Sequence, residues 1–231
     1  MTVPVSIMWF RQDLRVKDNP ALNAACDEGK IIPIYIYDDN APDGRALGGA
    51  SNWWLHHSLN SLNDRLNGHL KVFKGDPKAL IPALMEAYEA KGIYWNRCYE
   101  PWQINRDKAI KTQLLDNDFE AHSSNGSLLW EPMKVLKKDG TPYRVFTPYY
   151  RKGCLNVEPP RYPQAPPARI TYADVDDSKI SKTNRPCGIA ALSLLPSMDW
   201  DSDFKNHWKP GEDGAADNLQ HFIEHSARKY K

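Results

Sequence analysis

The sequence predicts an α/β fold: a doubly wound, Rossmann-like parallel sheet of five strands in the order 3-2-1-4-5, followed by a linker and a terminal helix. Three observations carry this. Residues 1–123 alternate short β-branched or aromatic runs with longer amphipathic stretches, and five β-then-α units in series make a parallel sheet covered by helices on both faces. The run 31–37 is apolar at every position, as a parallel strand buried on both faces must be. The 231 residues, 41% hydrophobic, suffice for one sizeable core and at most a small extra lobe.

Val5–Phe10 reads as the first strand. Residues 18–28 read as a helix, with Asp18 or Asn19 as N-cap and Pro20 in the first turn. Residues 31–37 form the second strand. Residues 50–67 form a helix that sets Leu55, Leu59, Leu62 and Leu66 on one face and stops at Gly68. Residues 70–73 are the third strand, and Asp76-Pro77 opens a helix with Leu80, Leu84 and Tyr88 on one stripe. Residues 93–96 are the fourth strand, 101–117 the fourth helix and 119–122 the fifth strand. Residues 124–153 lose periodicity and read as an irregular ordered excursion with a turn at Gly140-Thr141-Pro142. Residues 156–169 hold five prolines and read as extended linker. Residues 170–210 are weakly patterned, and 212–230 return to helix with Leu219, Phe222, Ile223 and Ser226 along one side. The division expected is therefore an α/β domain over 1–153, a linker over 154–211 and, over 212–231, a first helix leading into a further domain.

Composition excludes several classes. Formal net charge is +1, from 30 basic and 29 acidic residues, without the basic excess of a protein that grips many phosphates. Cys26, Cys98, Cys154 and Cys187 are far apart, which argues against a zinc site or a disulfide framework. Pro4 and Arg11 interrupt the first apolar run, so no signal peptide is expected, and no apolar run is long enough to span a membrane. A reduced, cytoplasmic protein follows, with no membrane partner and a monomeric state expected.

In a doubly wound sheet the ligand crevice opens at the carboxyl ends of the strands, where strand order reverses. Here that point falls between strands one and four, which end at Trp9-Phe10-Arg11 and at Trp95-Asn96-Arg97, with Tyr99 and Glu100 following. Strand two ends nearby at Tyr37-Asp38, with Tyr35 and Tyr37 expected on opposite sides. Flat rings, guanidiniums and carboxylates together suit a planar heteroaromatic ligand. The rings stack, the carboxylates accept from ring N–H or amino groups, and Arg11 or Arg97 holds an anionic tail. The same residues also fit an ordinary solvated strand edge with Arg–Asp surface pairs. No GxGxxG follows strand one and no GxxxxGK[ST] occurs anywhere, which disfavours NAD and P-loop enzymes. Gly48-Gly49 before a helix reads as a flexible entry rather than an anion site. His221 and His225, spaced i, i+4, read as a solvated face rather than a metal site, as do His56 and His57. Lys137-Lys138 reads as a surface turn.

The sequence Trp9-Phe10-Arg11-Gln12-Asp13-Leu14-Arg15, continuing to Asp18-Asn19-Pro20-Ala21-Leu22, resembles the opening signature of the DNA photolyase/cryptochrome family. Ordered matches follow. Gly49-Ala50-Ser51 with Trp53-Trp54-Leu55-His56-His57-Ser58-Leu59 is similar to the family's second helix. Tyr94-Trp95-Asn96-Arg97, Tyr99-Glu100-Pro101 and Arg106-Asp107 resemble its fourth strand and helix. Asn125-Gly126-Ser127-Leu128-Leu129 and Tyr143-Arg144-Val145-Phe146-Thr147-Pro148 resemble the close of its N-terminal domain. Trp208-Lys209-Pro210-Gly211-Glu212, with Ala215, Leu219, Phe222 and Tyr230, looks like the entry to its FAD-binding domain. Bacterial cyclobutane pyrimidine dimer photolyases are the members it resembles most.

The resemblance implies an α/β domain that binds an antenna chromophore, a methenyltetrahydrofolate or an 8-hydroxy-5-deazaflavin. Excitation would pass to FAD in a helical domain beyond residue 231. In the full-length protein the implied activity is that of a carbon–carbon lyase. Excited reduced FAD would donate an electron to a flipped-out pyrimidine dimer in DNA, which splits and returns it. The chain alone is expected to be inactive and to hold no catalytic residue. By position, the resemblance assigns the antenna site to Arg11, Asp13, Tyr35, Asp38, Ser51, Trp54 and Glu100, and an FAD contact to Tyr230. Trp102 and Gln103 stand where some folate-binding members carry an Asn-Glu pair, which counts against folate in that mode. A deazaflavin, or folate in another pose, stays open. A cryptochrome-type light sensor and a free-standing chromophore- or nucleotide-binding module are the alternatives.

Overall fold

The computed structural model describes residues 3–38 and 46–230. Five parallel strands, β1 (Val5–Phe10), β2 (Lys30–Tyr37), β3 (Lys71–Lys74), β4 (Gly92–Asn96) and β5 (Glu120–Ser124), form one sheet in the order β3-β2-β1-β4-β5, the predicted topology. Helices α1 (Pro20–Glu28), α2 (Gly49–Arg65), α3 (Pro77–Ala87) and α4 (Pro101–Leu115) alternate with them.

Strand periodicity sorts the core into two layers. Ile7, Trp9, Ile34 and Trp95 face α3 and α4, where Leu80, Leu84, Ile110 and Leu114 close over them. Met8, Phe10, Ile31 and Tyr94 face the other way and meet Leu22, Leu55, Leu59 and Leu62 of α1 and α2. Asn19, not Asp18, caps α1, its side chain accepting from the Leu22 N–H at 3.1 Å. Asp76 caps α3 in the same way. Beyond α2 the chain turns through Asn67 and Gly68, both in the left-handed region with φ of 52° and 80°.

Three sequence expectations shift. β3 and β5 run one or two residues later than hydrophobicity indicates, because parallel pairing sets their ends: β5 pairs with β4 out to Asn96↔Ser124. The last helix is shorter than 212–230: α7 (Glu212–His225) is followed by a single 3-10 turn at Ala227–Lys229. Between the two regions lie α5 (Phe146–Pro148), a wide turn at Tyr149–Gly153 and α6 (Phe204–His207). The hairpin turn at Gly140-Thr141-Pro142 forms as expected, with the Lys137 N–H donating to the Thr141 carbonyl at 2.9 Å.

The weakly patterned segment after 169 is not a free linker; it is a strap along the β3 edge of the sheet. The Ile31 N–H donates to the Thr171 carbonyl at 2.8 Å, and the Ala173 N–H to the Ile31 carbonyl at 3.0 Å. Pro33 has the same parity as Ile31, so its missing N–H falls in the gap between this strap and the start of β3 at the Ile34↔Lys71 pair. Further on, Cys187 donates to the Val72 carbonyl, so unpaired edge groups find partners. Ile180 enters one core layer and Leu192 and Leu194 enter the other, so the strap wraps from face to face. Tyr88 and Lys71 both bond Asp177, at 2.6 and 2.8 Å, and anchor it.

An Ile180→Ala substitution tests the strap. Ile180 is 4% exposed, so its truncation should cost about 2–5 kcal/mol in urea unfolding of the 231-residue chain. Leu219→Ala, at a residue 59% exposed on α7, should change stability by no more than about 0.5 kcal/mol. Equal effects would mean the strap does not contribute to the core.

Candidate functional site

The crevice follows from how the central strands part. β1 pairs with β2 through Phe10↔Tyr35, but pairs with β4 only as far as Met8↔Tyr94. Beyond Met8, β1 and β4 separate, and polar side chains rather than ladder hydrogen bonds span the opening. Asn96 at the end of β4 donates to Asp13 at 2.5 Å and to Asn19 at 2.7 Å, and accepts from the Ala21 N–H at 3.3 Å. Asp13 also accepts from the Arg11 N–H at 2.9 Å.

Above this floor lies a cleft of about 660 Å³, within the range of small-molecule sites. A chain of four charges forms its inner wall. Arg11 Nη1 lies 2.5 Å from Asp107 Oδ2, Asp107 Oδ1 lies 3.0 Å from Arg106 Nη2, and Arg106 Nη1 lies 3.2 Å from Asp38 Oδ2. All four side chains are nearly buried. Arg11 Nη2 donates to the Asn96 carbonyl. The Arg106 guanidinium lies between the rings of Trp9 and Trp102, 5.2 and 5.1 Å from their centroids, and Arg11 lies 4.7 Å from the Trp9 ring.

The remaining walls come from three directions, two of them aromatic. Tyr35 and Tyr37 line the cleft from β2. Burial, with smaller contributions from Tyr37 and Asp38, pushes the Tyr35 phenol well above its ordinary pKa, so it remains a neutral O–H donor at physiological pH. Trp54 of α2, 42% exposed, stands at the mouth with Trp208 edge-on at 6.0 Å. Gly211, Glu212 and Ala215 close the cleft from the start of α7. Glu212 is fixed there by accepting the Val16 and Lys17 N–H groups, each at 2.9 Å, and by pairing with Arg65.

Six of the eight residues expected from sequence line this one cleft: Arg11, Tyr35, Asp38, Ser51, Trp54 and Glu100. Asp13 does not; it is buried beneath, joining the β1–α1 loop to β4. Tyr230 lies outside as well, 80% exposed in the turn after α7 and edge-on to Phe222. Other expectations change. Tyr35 and Tyr37 line the same cleft, because strand residues two apart share a face. Arg97 is no anion holder: it turns to Glu131 and Ser123, and Tyr99 also bonds Glu131. The terminal nitrogens of Arg11 are committed to Asp107 and Asn96, and Arg15 is held by the Asp18 and Gly126 carbonyls. Trp95 is buried against Trp9. His221 and His225 stack on each other, and the described residues contain no group of three metal-ligating side chains. No helix among the described residues is long and apolar enough to cross a membrane.

Sequence reasoning noted Gln103 only as standing, with Trp102, where some folate-binding members carry an Asn-Glu pair, and Arg106 only as part of a motif; the fold brings both to the cleft. Trp102 and Arg106 are spaced i, i+4 on α4, and that spacing is the signal that unites them. The contribution of α7 has no such signal.

The sequence profile of the DNA photolyase family matches residues 6–168. The chain belongs to the DNA photolyase family. It is 39% identical over 235 residues to a deoxyribodipyrimidine photo-lyase of Agrobacterium fabrum, across all of this chain and 47% of that one. It is 30% identical over 227 residues to cryptochrome-2 of Arabidopsis thaliana, across 95% of this chain and 36% of that protein. The crystal structure of a bacterial class III photolyase from Agrobacterium tumefaciens superposes with a TM-score of 0.85 at 38% identity, covering 97% of this chain and 45% of the other. This photolyase-family chain thus spans less than half the length of these relatives.

The charge chain carries a direct test. Asp107→Ala removes the carboxylate between the buried guanidiniums of Arg11 and Arg106, leaving Asp38 paired with Arg106 alone, and should cost about 3–5 kcal/mol in denaturant unfolding. Glu100→Gln, at an exposed rim carboxylate bonded among the described residues only to the Trp102 indole at 2.8 Å, should cost no more than about 1 kcal/mol. A mild effect of Asp107→Ala would show that the four charges are not coupled.

Proposed function

We propose that this chain is the light-harvesting part of a deoxyribodipyrimidine photolyase. In this reading the cleft holds an antenna chromophore, a methenyltetrahydrofolate or an 8-hydroxy-5-deazaflavin. The carrying observation is that the cleft at the strand-order switch point is walled by Trp9, Tyr35, Tyr37, Trp54 and Trp102. Aromatic walls whose inner charges are paired with one another fit a flat conjugated ring. When bound, such a group supplies absorption of near-ultraviolet or blue light.

The chain's own residues divide the work. Trp54 and Tyr35 offer ring faces. Ser51, Asp38 and Glu100 offer polar groups at the rim. Arg11 fixes the floor through Asp107, and Asp13 acts through Asn96 as a positioning residue. Energy transfer through space demands fixed distance and orientation but no proton transfer, which accords with a site of locked charges.

FAD, repair of pyrimidine dimers in DNA and the lyase chemistry belong, in this reading, to the whole protein. Tyr230 is its one FAD contact within these residues. The near-neutral charge supports a DNA-gripping surface elsewhere, and the chain alone is expected to repair nothing. A monomeric, cytoplasmic protein remains our expectation. The Arabidopsis cryptochrome relative favours a second reading, a blue-light sensor without repair. Irradiation of dimer-containing DNA with the whole protein separates them, since a sensor leaves the dimers intact.

For the cleft itself, the purified 231-residue chain mixed with either chromophore should gain an absorption band above the protein's own and lose tryptophan fluorescence. Trp54→Ala should weaken binding about tenfold, the loss of one stacking face. Absence of binding by both chromophores would refute the assignment.

A further inference from the structure

The stretch Trp208-Lys209-Pro210-Gly211-Glu212 reaches the cleft through Gly211 and Glu212, while Trp208 lies outside the cleft lining. The Trp208 ring instead meets the Trp54 ring edge to face, with centroids 6.0 Å apart and planes at 76°. Both rings stay open to solvent, Trp208 56% exposed and Trp54 42% exposed. Large aromatic side chains set against each other at the surface, with neither sunk into the core, add little to the stability of the fold. Exposed apolar surface of this kind marks a binding region.

Trp208 is itself held from behind. Its N–H donates to the Phe204 carbonyl at 2.8 Å and closes α6. Phe204 meets Trp53 of α2 edge to face at 5.2 Å, and Trp200 meets Phe204 in the same way at 5.4 Å. Trp53 is 1% exposed and so belongs to the core side of α2. A Cβ on Gly49, in the first turn of α2, would come within 3.1 Å of the Trp200 ring. Residues 200–208 are therefore clasped onto α2 by rings, and Trp208 is the end of that clasp that reaches Trp54.

A half-exposed side chain on a helix surface hops between rotamers within nanoseconds. Freezing such a side chain when a ligand arrives costs affinity, and freezing it beforehand removes that cost. An edge-to-face pair favours one mutual orientation, because the positive edge of one ring meets the negative face of the other. Trp53 borders Trp54 from the helix side at 6.4 Å, so the Trp54 ring is bracketed by rings from two segments.

We infer that Trp208 is a positioning residue of the cleft, fixing the Trp54 ring in place for stacking while making no contact with the ligand. This inference rests on the reading of the cleft as a chromophore site, in which Trp54 offers a ring face.

The test is a double-mutant cycle on the purified 231-residue chain. The probes are 5,10-methenyltetrahydrofolate and 8-hydroxy-5-deazaflavin, used separately in equilibrium dialysis and read at the probe's own absorption band. Trp208→Ala should weaken binding of whichever probe the wild type holds by about fivefold, the loss of one edge-to-face pair. Trp208→Phe, which keeps a ring edge on Trp54, should restore most of that affinity. In the Trp54→Ala background, Trp208→Ala should cause no further loss, because the two residues act through one contact. Trp208→Leu keeps apolar bulk and replaces the alanine variant if that one folds poorly. Wild-type affinity in both Trp208→Ala and Trp208→Leu overturns the inference and leaves the chromophore reading standing. An equal loss with and without Trp54 also overturns it, since Trp208 would then act through Gly211 and Glu212 on the cleft wall. If the wild type binds neither probe, the chromophore reading falls and takes this inference with it.

Discussion

The site depends on four charges that hold together strands which the sheet itself lets go. β1 and β4 stop sharing ladder hydrogen bonds after Met8↔Tyr94, and a gap opens between their carboxyl ends. Arg11, Asp107, Arg106 and Asp38 bridge β1, α4 and β2 across that gap. Buried charges are costly unless each has partners in good geometry. Two guanidiniums and two carboxylates in alternation, roofed by the Trp9 and Trp102 rings, satisfy that condition. The same cost makes the arrangement stiff: moving any one element strands a charge in a poorly hydrated place. The polar set beneath, Asp13, Asn96 and Asn19, closes the gap from below in the same way.

This use of charge decides what the cleft can recognise. Guanidiniums near a strand end suggest an anion site when read along the chain. In the folded protein their terminal nitrogens already face carboxylates and carbonyls. What the cleft offers a ligand is chiefly ring face, with phenol, hydroxyl and carboxylate groups toward the mouth. Such a surface favours a flat, conjugated molecule over a phosphate or a small acid.

The sheet order, both core faces and most helix limits were legible because they rest on local signals: period two in the strands, period 3.6 in the helices, and caps such as Asn19 and Asp76. Of the six expected residues that line the cleft, Arg11, Tyr35, Asp38 and Glu100 were legible because strand ends at a switch point must converge, while Ser51 and Trp54, on α2, came from the family resemblance alone. What was not legible depends on contacts distant in sequence. Ile180, Leu192 and Leu194 carry no periodic pattern, since a strap crosses an edge once and buries isolated residues. Asp13 reads like a rim carboxylate until Asn96 is seen 2.5 Å away. Arg106 shows in the sequence only as part of a motif, and its place beside the Trp9 and Trp102 rings appears only in the fold.

The start of α7 shows why the cleft and the chain's last helix form one mechanical unit. Gly211 has φ of 98°, and a Cβ there would meet Ser61 Oγ of α2 at 2.4 Å, so only glycine lets the backbone approach so closely. One residue on, Glu212 takes the Val16 and Lys17 N–H groups of the β1–α1 loop and pairs with Arg65 at the end of α2. Residues 211 and 212 therefore grip both α2 and the loop that carries Arg11 and Asp13, while forming part of the cleft wall themselves. Beyond them the helix leaves Leu219, Phe222 and Ile223 exposed. A ring bound in the cleft would thus be held at a fixed angle to α7 by a clamp of glycine contact and carboxylate hydrogen bonds. A light-harvesting site, whose output varies with orientation as well as distance, requires that kind of rigid connection.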